Sequence, residues 1–579
     1  MRISRWIIRR LTCACSVLLL STPVFAQSIP VETPSPVEPF IRRYETDADG
    51  LLRFYVYGSV GQQSTSVRER QRTFYQSSLE QLEKSDYNSL TSSGKADYHL
   101  LKDHLENELR QLDFARKRQE EMEPLLPFRD AVVALEEARG RREPVNPEAA
   151  ASELTRIAES VRKAREQKRT VSPSLALRTA GAVGQLRGAL ANWFGYYNGF
   201  KPLFSWWCQK PYEQARQELD QYEKHLRENL AGIKGKDEDP LIGDPIGREE
   251  LLSDLRHERI PYSPEEMIAI AEKEFAWCEA EMKRAAGEMG MGDDWKKALE
   301  AVKQDHVPPG EQDNLVAKQA EDAIAFVESR DLVTIDPLCK ETWRLEMIGP
   351  AVQKTLPFAA YGGQRMLVAY PTDEMDHSAK QMSLRGNNIA FTRIVTPHEL
   401  IPGHHLQRYM SDRYRTYRQL FSTPFYVEGW ALYWEMQLWD RNYAQTPQQR
   451  IGMLFWRMHR CARIIVSLNF HLGKMKPNEM IDFLVDRVGH ERFTATSEVR
   501  RFIGGAYSPL YQCAYMIGGL QIRALYRELV EAGKMTPKAF HDAVLKENAI
   551  PIEILRAILT ENPLPRDGKP EWKFYDLNK

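Results

Sequence analysis

Fold and chemistry both depend on residues 396–407, which read Thr-Pro-His-Glu-Leu-Ile-Pro-Gly-His-His-Leu-Gln. His398 and Glu399 form a His-Glu pair, and zinc hydrolases present two imidazole ligands and a general base through such a pair and a later histidine. The usual spacing places the second histidine four residues after the first, and that position is Pro402 here. The spacing must therefore be explained before a metal site is predicted.

A regular helix cannot bring these histidines to one ion. At about 100° per residue, His404 would be rotated about 240° from His398, and His405 would lie roughly 10 Å further along. Pro402 cannot donate to the carbonyl of His398 and Gly403 tolerates unusual torsions, so we expect the helix to bulge. A bulge of two extra residues returns His404 to the ligand position, whereas His405 would need three and is the alternative.

An ordinary structural explanation stays open for the same residues. Thr396 and Glu399 have the spacing of a capping box, and Pro397 suits the first position of a helix. Glu399 would then only cap a helix, and the histidines would be polar packing.

A second segment, residues 425–435, reads Phe-Tyr-Val-Glu-Gly-Trp-Ala-Leu-Tyr-Trp-Glu. Glu428 follows His398 by 30 residues on a separate predicted helix, where a His₂Glu zinc site finds its third ligand. Glu435, two turns later on the same face, is a candidate to orient an imidazole. A capping role for Glu428 and a solvated or paired Glu435 are the alternatives.

The two segments together resemble the bacterial proteins grouped as domain of unknown function 885, which look related to the gluzincin metallopeptidases. The resemblance covers roughly residues 245–560 and reaches only loosely into the N-terminal part. Gluzincins place glycine directly before the second zinc histidine, as here before His404. The resemblance implies one zinc ion per chain, held by His398, His404 and Glu428, with Glu399 as the base and His405 as the alternative to His404.

Further site residues follow from the same resemblance. Thimet-type peptidases supply phenols from a glycine- and tyrosine-rich segment, which Tyr507, Tyr511 and Tyr515 resemble; Tyr515 is the first choice for the substrate oxyanion and Tyr511 the second. A tyrosine stripe on an ordinary helix is the alternative. His471 is a candidate to contact substrate or the surroundings of the metal, or else a structural histidine. Arg523 is better explained as a paired surface arginine than as a substrate ligand.

The rest of the chain predicts a mainly α-helical fold with a metallopeptidase-like architecture and a small β element near the site. Apolar residues three and four apart recur from Leu79 to Arg118. Residues 263–266, Ser-Pro-Glu-Glu, indicate a capped helix start. Short apolar runs at residues 365–370 and 388–395 are predicted to pair as strands. The predicted division is a signal peptide at 1–26, a Pro-rich linker at 27–40, an N-terminal helical region at 41–245 and a catalytic region at 246–579.

The composition and the N-terminal segment limit the classes of partner that the protein can have. The charges nearly cancel, with 79 Lys+Arg against 80 Asp+Glu, so no basic surface predicts nucleic-acid binding. A basic start, an apolar run to Leu20 and small residues at Val24 and Ala26 predict a cleaved signal peptide, export to the periplasm or beyond, and no stable membrane insertion afterwards. The five later cysteines lack metal-ligand spacing and are expected to be buried free thiols.

Three functions are compatible with these observations. The first is an exported zinc peptidase in which Glu399 activates a metal-bound water for hydrolysis of peptide bonds. The second keeps the metal but hydrolyses a non-peptide amide. The third is a non-catalytic secreted binding protein with a vestigial metal site, which an intact Glu399 disfavours. Oligomeric state does not follow from the sequence.

Overall fold

The computed structural model describes residues 35–56, 60, 63–236 and 239–577. The predicted signal peptide, 1–26, and residues 27–34 of the predicted linker lie outside these ranges. The first helix begins at Glu38, so the end of the predicted linker, 27–40, is helical. Pro39 fits there because the first turn of a helix needs no donor from it.

The described residues form an almost entirely helical protein. Its helices up to the sheet are α1 (Glu38–Val56), α2 (Thr65–Glu83), α3 (Ser92–Met122), α4 (Arg129–Gly140), α5 (Pro147–Glu166), α6 (Pro173–Tyr197), α7 (Pro202–His225), α8 (Arg248–His257), α9 (Pro264–Glu288), α10 (Trp295–Lys303), α11 (Gln312–Glu328) and α12 (Pro337–Glu341). Those within and after it are α13 (Pro350–Gln353), α14 (His377–Gly386), α15 (Ile389–Glu399), α16 (His404–Ser411), α17 (Pro424–Asp440), α18 (Pro447–His471), α19 (Pro477–Phe483), α20 (Arg492–Ile503), α21 (Tyr511–Tyr526), α22 (Pro537–Lys546) and α23 (Ile552–Thr560).

The start of α9 shows how local sequence sets helix boundaries. The hydroxyl of Ser263 accepts a hydrogen bond from the backbone N–H of Glu266 at 3.1 Å, and the Glu266 carboxylate accepts one from the N–H of Ser263 at 2.7 Å. These reciprocal bonds satisfy two backbone donors that the helix itself leaves open. The capped start predicted at residues 263–266 is therefore confirmed.

The small sheet has three strands, β1 (Arg344–Met347), β2 (Ala359–Tyr361) and β3 (Arg365–Val368). Their order is β1-β3-β2, with β1 parallel and β2 antiparallel to β3. The strand predicted within residues 365–370 is present, and β2 is an edge strand with one side unpaired within the sheet.

The second predicted strand, residues 388–395, is wrong, because this segment opens helix α15. The side chain of Asn388 caps the helix by accepting from the N–H of Phe391 at 2.9 Å. The helix packs tightly on α18, where a Cβ on Gly452 would lie 2.3 Å from the carbonyl oxygen of Ala390. Burial against α18 thus overrides the preference of the β-branched residues for a strand.

Three hydrophobic clusters fill the interior. One lies within the N-terminal helices between Val60 and Leu226. The other two meet along α17, which contributes Phe425 and Leu432 to one and Tyr426 and Trp430 to the other. The cluster that contains Trp430 also includes residues from 37 to 105, so the start of the chain packs against its last helices. The division at residue 245 stays a prediction.

Two further expectations can be compared with the structure. Cys208, Cys278, Cys339, Cys461 and Cys513 are all buried and free, as expected. Among the described residues, no helix is long and apolar enough to cross a membrane.

Candidate metal centre

The His-Glu pair lies at the end of α15, and the chain then breaks. Helix α15 ends at Glu399 and α16 begins at His404, so the expected bulge within one continuous helix is wrong. Pro402, which has no N–H to donate, lies in the intervening turn, and its peptide bond with Ile401 is cis. After this turn His404, the first residue of α16, lies beside His398, and the ring centroids are 4.9 Å apart.

Helix α15 also removes the capping explanation. Its cap is Asn388, and Pro397 lies inside the helix rather than at its first position. The hydroxyl of Thr396 hydrogen-bonds Oε1 of Gln319 at 3.2 Å. Glu399 is therefore in the last turn of a helix, where it caps nothing.

The turn requires glycine before His404. A Cβ on Gly403 would lie 1.8 Å from the carbonyl oxygen of His398 and 2.6 Å from that of Pro397. The turn is held from the other side by Trp430, whose Nε1–H donates to the carbonyl oxygen of Pro402 at 2.9 Å. The Pro-Gly-His sequence is thus a packing requirement of the site.

Helix α17 brings a carboxylate to both histidines. Oε2 of Glu428 lies 3.2 Å from Nε2 of His404 and 3.7 Å from Nε2 of His398. Burial raises the pKa of Glu428, but the two imidazoles outweigh it and hold the pKa well below its usual value. All three side chains are buried.

Glu435, on the same helix, contacts the other nitrogen of the first histidine. Nδ1 of His398 lies 2.7 Å from Oε1 of Glu435, and Arg460 approaches this carboxylate at 3.6 Å. Burial lowers the pKa of His398, but Glu428, Glu435 and neighbouring Glu399 together raise it to about 9. A carboxylate thus lies at each nitrogen of the His398 ring, Glu435 at Nδ1 and Glu428 at Nε2.

Glu399 completes a compact group. The potential ligand atoms of His398, Glu399 and His404 lie within 4.8 Å of one another. Within the described chain the Glu399 carboxylate has no hydrogen-bond or ion-pair partner, although it is buried. These three residues and Glu428 line a cavity of about 220 Å³.

His405 points elsewhere. Its Nε2 lies 2.8 Å from the carbonyl oxygen of Cys339, and its Nδ1 lies 3.2 Å from the hydroxyl of Tyr361. Both ring nitrogens therefore have protein partners, and His405 is not among the residues that line the cavity. The structure brings His404, and not His405, to Glu428.

The predicted tyrosines reach the site because α17 and α21 touch backbone to backbone. A Cβ on Gly518 would lie 1.9 Å from the carbonyl oxygen of Phe425, so only glycine fits at this crossing. The hydroxyl of Tyr511 donates to Oε1 of Glu428. The ring of Tyr515 stacks on His398 with centroids 6.2 Å apart, and its hydroxyl accepts a hydrogen bond from Arg501 at 3.3 Å.

Two other candidates lie away from the site. His471 is the last residue of α18, about 16 Å along that helix from Arg460, and it does not line the cavity. The structure therefore gives no support to its predicted contact with substrate or metal; burial lowers its pKa to about 4, as for a neutral structural histidine. Arg523 pairs with Asp440 at 2.9 Å, as expected of a structural arginine.

The family to which the chain belongs follows from a comparison with known proteins. The model of a family described as "Bacterial protein of unknown function (DUF885)" matches residues 48–559. The chain belongs to this family. No curated protein matches the sequence of this DUF885 protein.

Two solved structures share the fold of this family member. One, from Shewanella oneidensis, is described as a putative lipoprotein of unknown function; it is 18% identical, and the match covers 90% of this chain and 99% of that chain with a TM-score of 0.66. Another, described as a putative lipoprotein from Colwellia psychrerythraea, is 15% identical and has a TM-score of 0.57, with coverages of 91% and 98%. At these identities the likeness concerns the fold alone.

One wall of the cavity of this DUF885 protein was not predicted from the sequence. Arg460, Arg463, Arg501 and Glu498 form a charged wall behind Tyr515. Guanidinium carbons of Arg460 and Arg463 lie 4.4 and 4.5 Å from the centre of that ring. Arg460 and Arg463 are three residues apart on a largely apolar helix, α18, and this spacing could have indicated the wall. Arginine on a buried helix face is costly unless it has a partner, so two such residues point to a functional or structural role.

Proposed function

We propose that this protein is an exported zinc-dependent peptidase in which His398, His404 and Glu428 hold one zinc ion and Glu399 is the general base. The observation that carries the proposal is the convergence of two imidazole Nε2 atoms on one carboxylate oxygen of Glu428, at 3.7 and 3.2 Å. The carboxylate of Glu399 lies beside them without a partner in the described chain.

The donor set fits zinc. Ligand atoms at about 2.0–2.1 Å from a tetrahedral zinc ion are about 3.4 Å apart, and the two separations at Glu428 bracket that value. Two imidazoles and a carboxylate are the protein ligands of catalytic zinc sites, which keep a fourth position open. The contact between His398 and Glu435 adds the outer carboxylate that zinc-bound histidines usually have.

Zinc in such a site supplies Lewis acidity and makes water a nucleophile near neutral pH. Glu399 takes the proton of the attacking water and passes it to the leaving amine. Its position in the last turn of α15, beside His398, holds the carboxylate in the cavity without a competing hydrogen bond.

Of the two tyrosines, Tyr515 is the better placed to donate to the substrate oxyanion. The hydroxyl proton of Tyr511 is used by Glu428, so Tyr511 positions a metal ligand. The oxygen of Tyr515 accepts from Arg501, which leaves the proton of Tyr515 free for a substrate carbonyl oxygen. Such a preorganised donor stabilises the negative charge that develops in the transition state.

The sheet favours a peptide as the substrate. All three residues of the edge strand β2, Ala359–Tyr361, line the cavity. An extended peptide can add to such an edge through its backbone hydrogen bonds. A non-peptide amide would leave these backbone groups unused.

The proposal is tested by metal analysis of the purified protein supplied with zinc, followed by hydrolysis of a mixed peptide library. We expect about one zinc per chain in the wild type and in His405→Gln, and loss of zinc in His398→Gln, His404→Gln and Glu428→Gln. Glu399→Gln should keep zinc and lose turnover. A folded wild type that binds no zinc, or an active Glu399→Gln, would refute the proposal.

Export rests on the basic start and apolar run of residues 1–26. The description of both solved relatives as putative lipoproteins agrees with an exported chain. N-terminal sequencing of the protein from fractionated cells should find Gln27 as the first residue in the periplasm or medium. Recovery of the intact N-terminus in the cytoplasm would contradict this part.

A further inference from the structure

Three arginines lie on one wall of the cavity, two of them buried and the third, Arg501, partly buried with a side chain 12% exposed. Arg460 and Arg463 come from α18 and Arg501 from α20, and all three line the same cavity as His398 and Glu399. Arg460 is 5% exposed and Arg463 is 2% exposed. A buried guanidinium is costly unless its charge and its five N–H donors find partners.

Arg463 has partners for its charge and for two of its three nitrogens, although its buried Nη1 has none. Its Nε donates to Nε2 of His459 at 2.9 Å, and its terminal nitrogen donates to Glu498 at 2.7 Å. Glu498 is almost fully buried, and its contact with Arg463 forms a tight internal ion pair. Arg463 is accordingly part of the structure of the wall.

Arg460 and Arg501 have far fewer partners within the described chain. Arg460 approaches Glu435 at 3.6 Å, and its buried Nε has no hydrogen-bond partner. Arg501 donates to the hydroxyl of Tyr515 at 3.3 Å and lies 3.9 Å from Glu498, while its buried Nε also lacks a partner. Both guanidinium groups therefore keep unused donors at a cavity wall.

Apart from Glu399, the proposed base, the carboxylates at this cavity and beside it are already engaged. Glu435 contacts His398, Glu428 contacts both site histidines, and Glu498 is held by Arg463. The wall formed by Arg460 and Arg501 thus presents two fixed positive charges that the protein only partly neutralises. A carboxylate matches the fork of donors on an arginine.

The other side of His404 differs in charge. A second cavity of about 270 Å³ shares Tyr361, His404 and Val427 with the first, so the two adjoin. Its one arginine, Arg408, is paired with Asp412 at 2.9 Å, and its other polar side chains are uncharged or histidine. A peptide that crosses the site therefore meets free positive charge on one side only.

We propose that Arg460 and Arg501 bind the free C-terminal carboxylate of the substrate, so that the enzyme removes short pieces from the C-terminus of peptides. The inference rests on the proposed peptidase function and deepens it. The whole cavity that contains the arginines and the proposed catalytic groups is about 220 Å³, smaller than the roughly 300–1,000 Å³ of common ligand pockets, and suits a short chain end. The rest of the peptide would lie toward the cavity beyond His404.

Measuring peptide binding to an inactive variant tests the role of the arginines independently of turnover. The zinc-loaded Glu399→Gln protein is titrated calorimetrically with N-acetyl-Ala-Ala-Phe-Ala as the free acid and as the C-terminal amide. We expect the free acid to bind about 10- to 100-fold tighter, because charged hydrogen bonds are lost in the amide. Equal affinities would overturn the inference.

Variants made in the same background identify the arginines. Arg501→Gln and Arg460→Gln should each remove most of the preference for the free acid, and Arg501→Lys should keep part of it. Arg523→Gln, which affects an arginine paired with Asp440 outside the cavity, is the matched control and should keep all of it. Circular dichroism and zinc content show that each variant is folded; a folded Arg501→Gln with an unchanged preference would contradict the assignment.

A third probe separates two sources of the carboxylate. The amide N-acetyl-Ala-Ala-Phe-Glu-NH₂ carries a carboxylate only on its side chain and should bind as weakly as the other amide. Binding as tight as that of the free acid would assign the arginines to acidic side chains and overturn the exopeptidase reading. With the wild type, equal cleavage of acid and amide would refute the inference alone, and cleavage of neither would refute the proposed function.

Discussion

Two buried clusters of histidine and glutamate lie side by side in this protein. The His398 cluster consists of His398, His404, Glu428 and Glu435, and the His459 cluster consists of His459, His490, Glu498 and Arg463. In the first, carboxylates surround the imidazoles and raise the pKa of His398 to about 9. In the second, burial and the adjacent Arg463 lower the pKa of His459 to about 3.

The difference lies in where the imidazole nitrogens point. Nε2 of His490 lies 2.9 Å from Nδ1 of His459, whose Nε2 accepts from Arg463, so the nitrogens of His459 are both used within the protein. In the His398 cluster, both Nε2 atoms face Glu428 at a cavity. The same residue types thus build the proposed metal site in one case and a structural network in the other.

The largest expected effect comes from removing the central carboxylate of each cluster. Glu428→Gln should lose zinc and reduce kcat/KM at least about a thousandfold, since the metal contributes several kcal/mol to the transition state. Glu498→Gln leaves Arg463 buried without a negative partner and should lower the free energy of unfolding by about 3 kcal/mol while zinc content is kept. Metal analysis and urea unfolding measure both, and loss of zinc from a folded Glu498→Gln would erase the distinction.

Gly403→Ala should disturb the backbone that holds the His398 cluster and leave the His459 cluster unchanged. Its Cβ would clash with the carbonyl oxygen of His398, a backbone atom that cannot move without displacing a proposed ligand. We expect a loss of stability of about 3 kcal/mol, a weakened zinc site and at least about a hundredfold lower activity. Gly181→Ala, at an exposed position of helix α6 with open space around its Cβ, is the control and should be neutral or slightly stabilising.

Glu435→Gln tests the carboxylate that orients His398. The amide can still hydrogen-bond but carries no charge, so we expect zinc affinity to fall about 10- to 100-fold with little change in fold. Competition with a zinc chelator measures the change. Asp440→Asn, which affects the partner of Arg523 at the end of the same helix, should keep wild-type affinity; equal losses in both variants would show that the effect is not specific.

The effect that is smallest over a single pH unit is a pH dependence of stability, of opposite sign in the two clusters. The pKa of His459 is about 6.5 in the unfolded chain and about 3 in the folded protein. Its contribution to the free energy of unfolding is therefore complete above pH 6.5 and is lost as the pH falls toward 3, by up to about 1.4 kcal/mol per pH unit. In zinc-free protein, the raised pKa of His398 contributes to the free energy of unfolding. This contribution is complete below pH 6.5 and is lost as the pH rises through about 9. Urea unfolding of the EDTA-treated protein across this range should show both slopes. His459→Gln should reduce only the acidic one, and a change in the basic slope would contradict the assignment.

The sequence predicted residue types better than backbone paths. The spacing of the Pro-Gly-His residues indicated that His404 must be brought back to His398, but not that the chain would do so by ending one helix and starting another. Residues 388–395 looked like a strand because β-branched side chains favour strands locally, and only packing against α18 decides for a helix. Contacts between distant segments cannot be derived from local preference.

The same limit explains the arginines and the histidine at the end of α18. Arg501 lies on α20 and reaches the cavity through its contact with Tyr515 of α21, which no local pattern marks. His471 follows Arg460 and Arg463 on one helix, but helix length carries it about 16 Å away from Arg460. Predictions were therefore best within one or two turns of the quoted segments.

The cluster that joins residues 37–105 to the last helices has a consequence for how the chain folds as it is made. Helix α3 contacts α23 directly, and the cluster as a whole extends from Val37 to Leu555. At about 5–20 residues per second, a ribosome needs roughly 20 to 90 s to travel from the end of one set to the other. During that interval the apolar surfaces of the cluster that the last helices cover have no partner, and exposed apolar surface favours aggregation. A chain truncated before α22 would keep them exposed permanently and should aggregate.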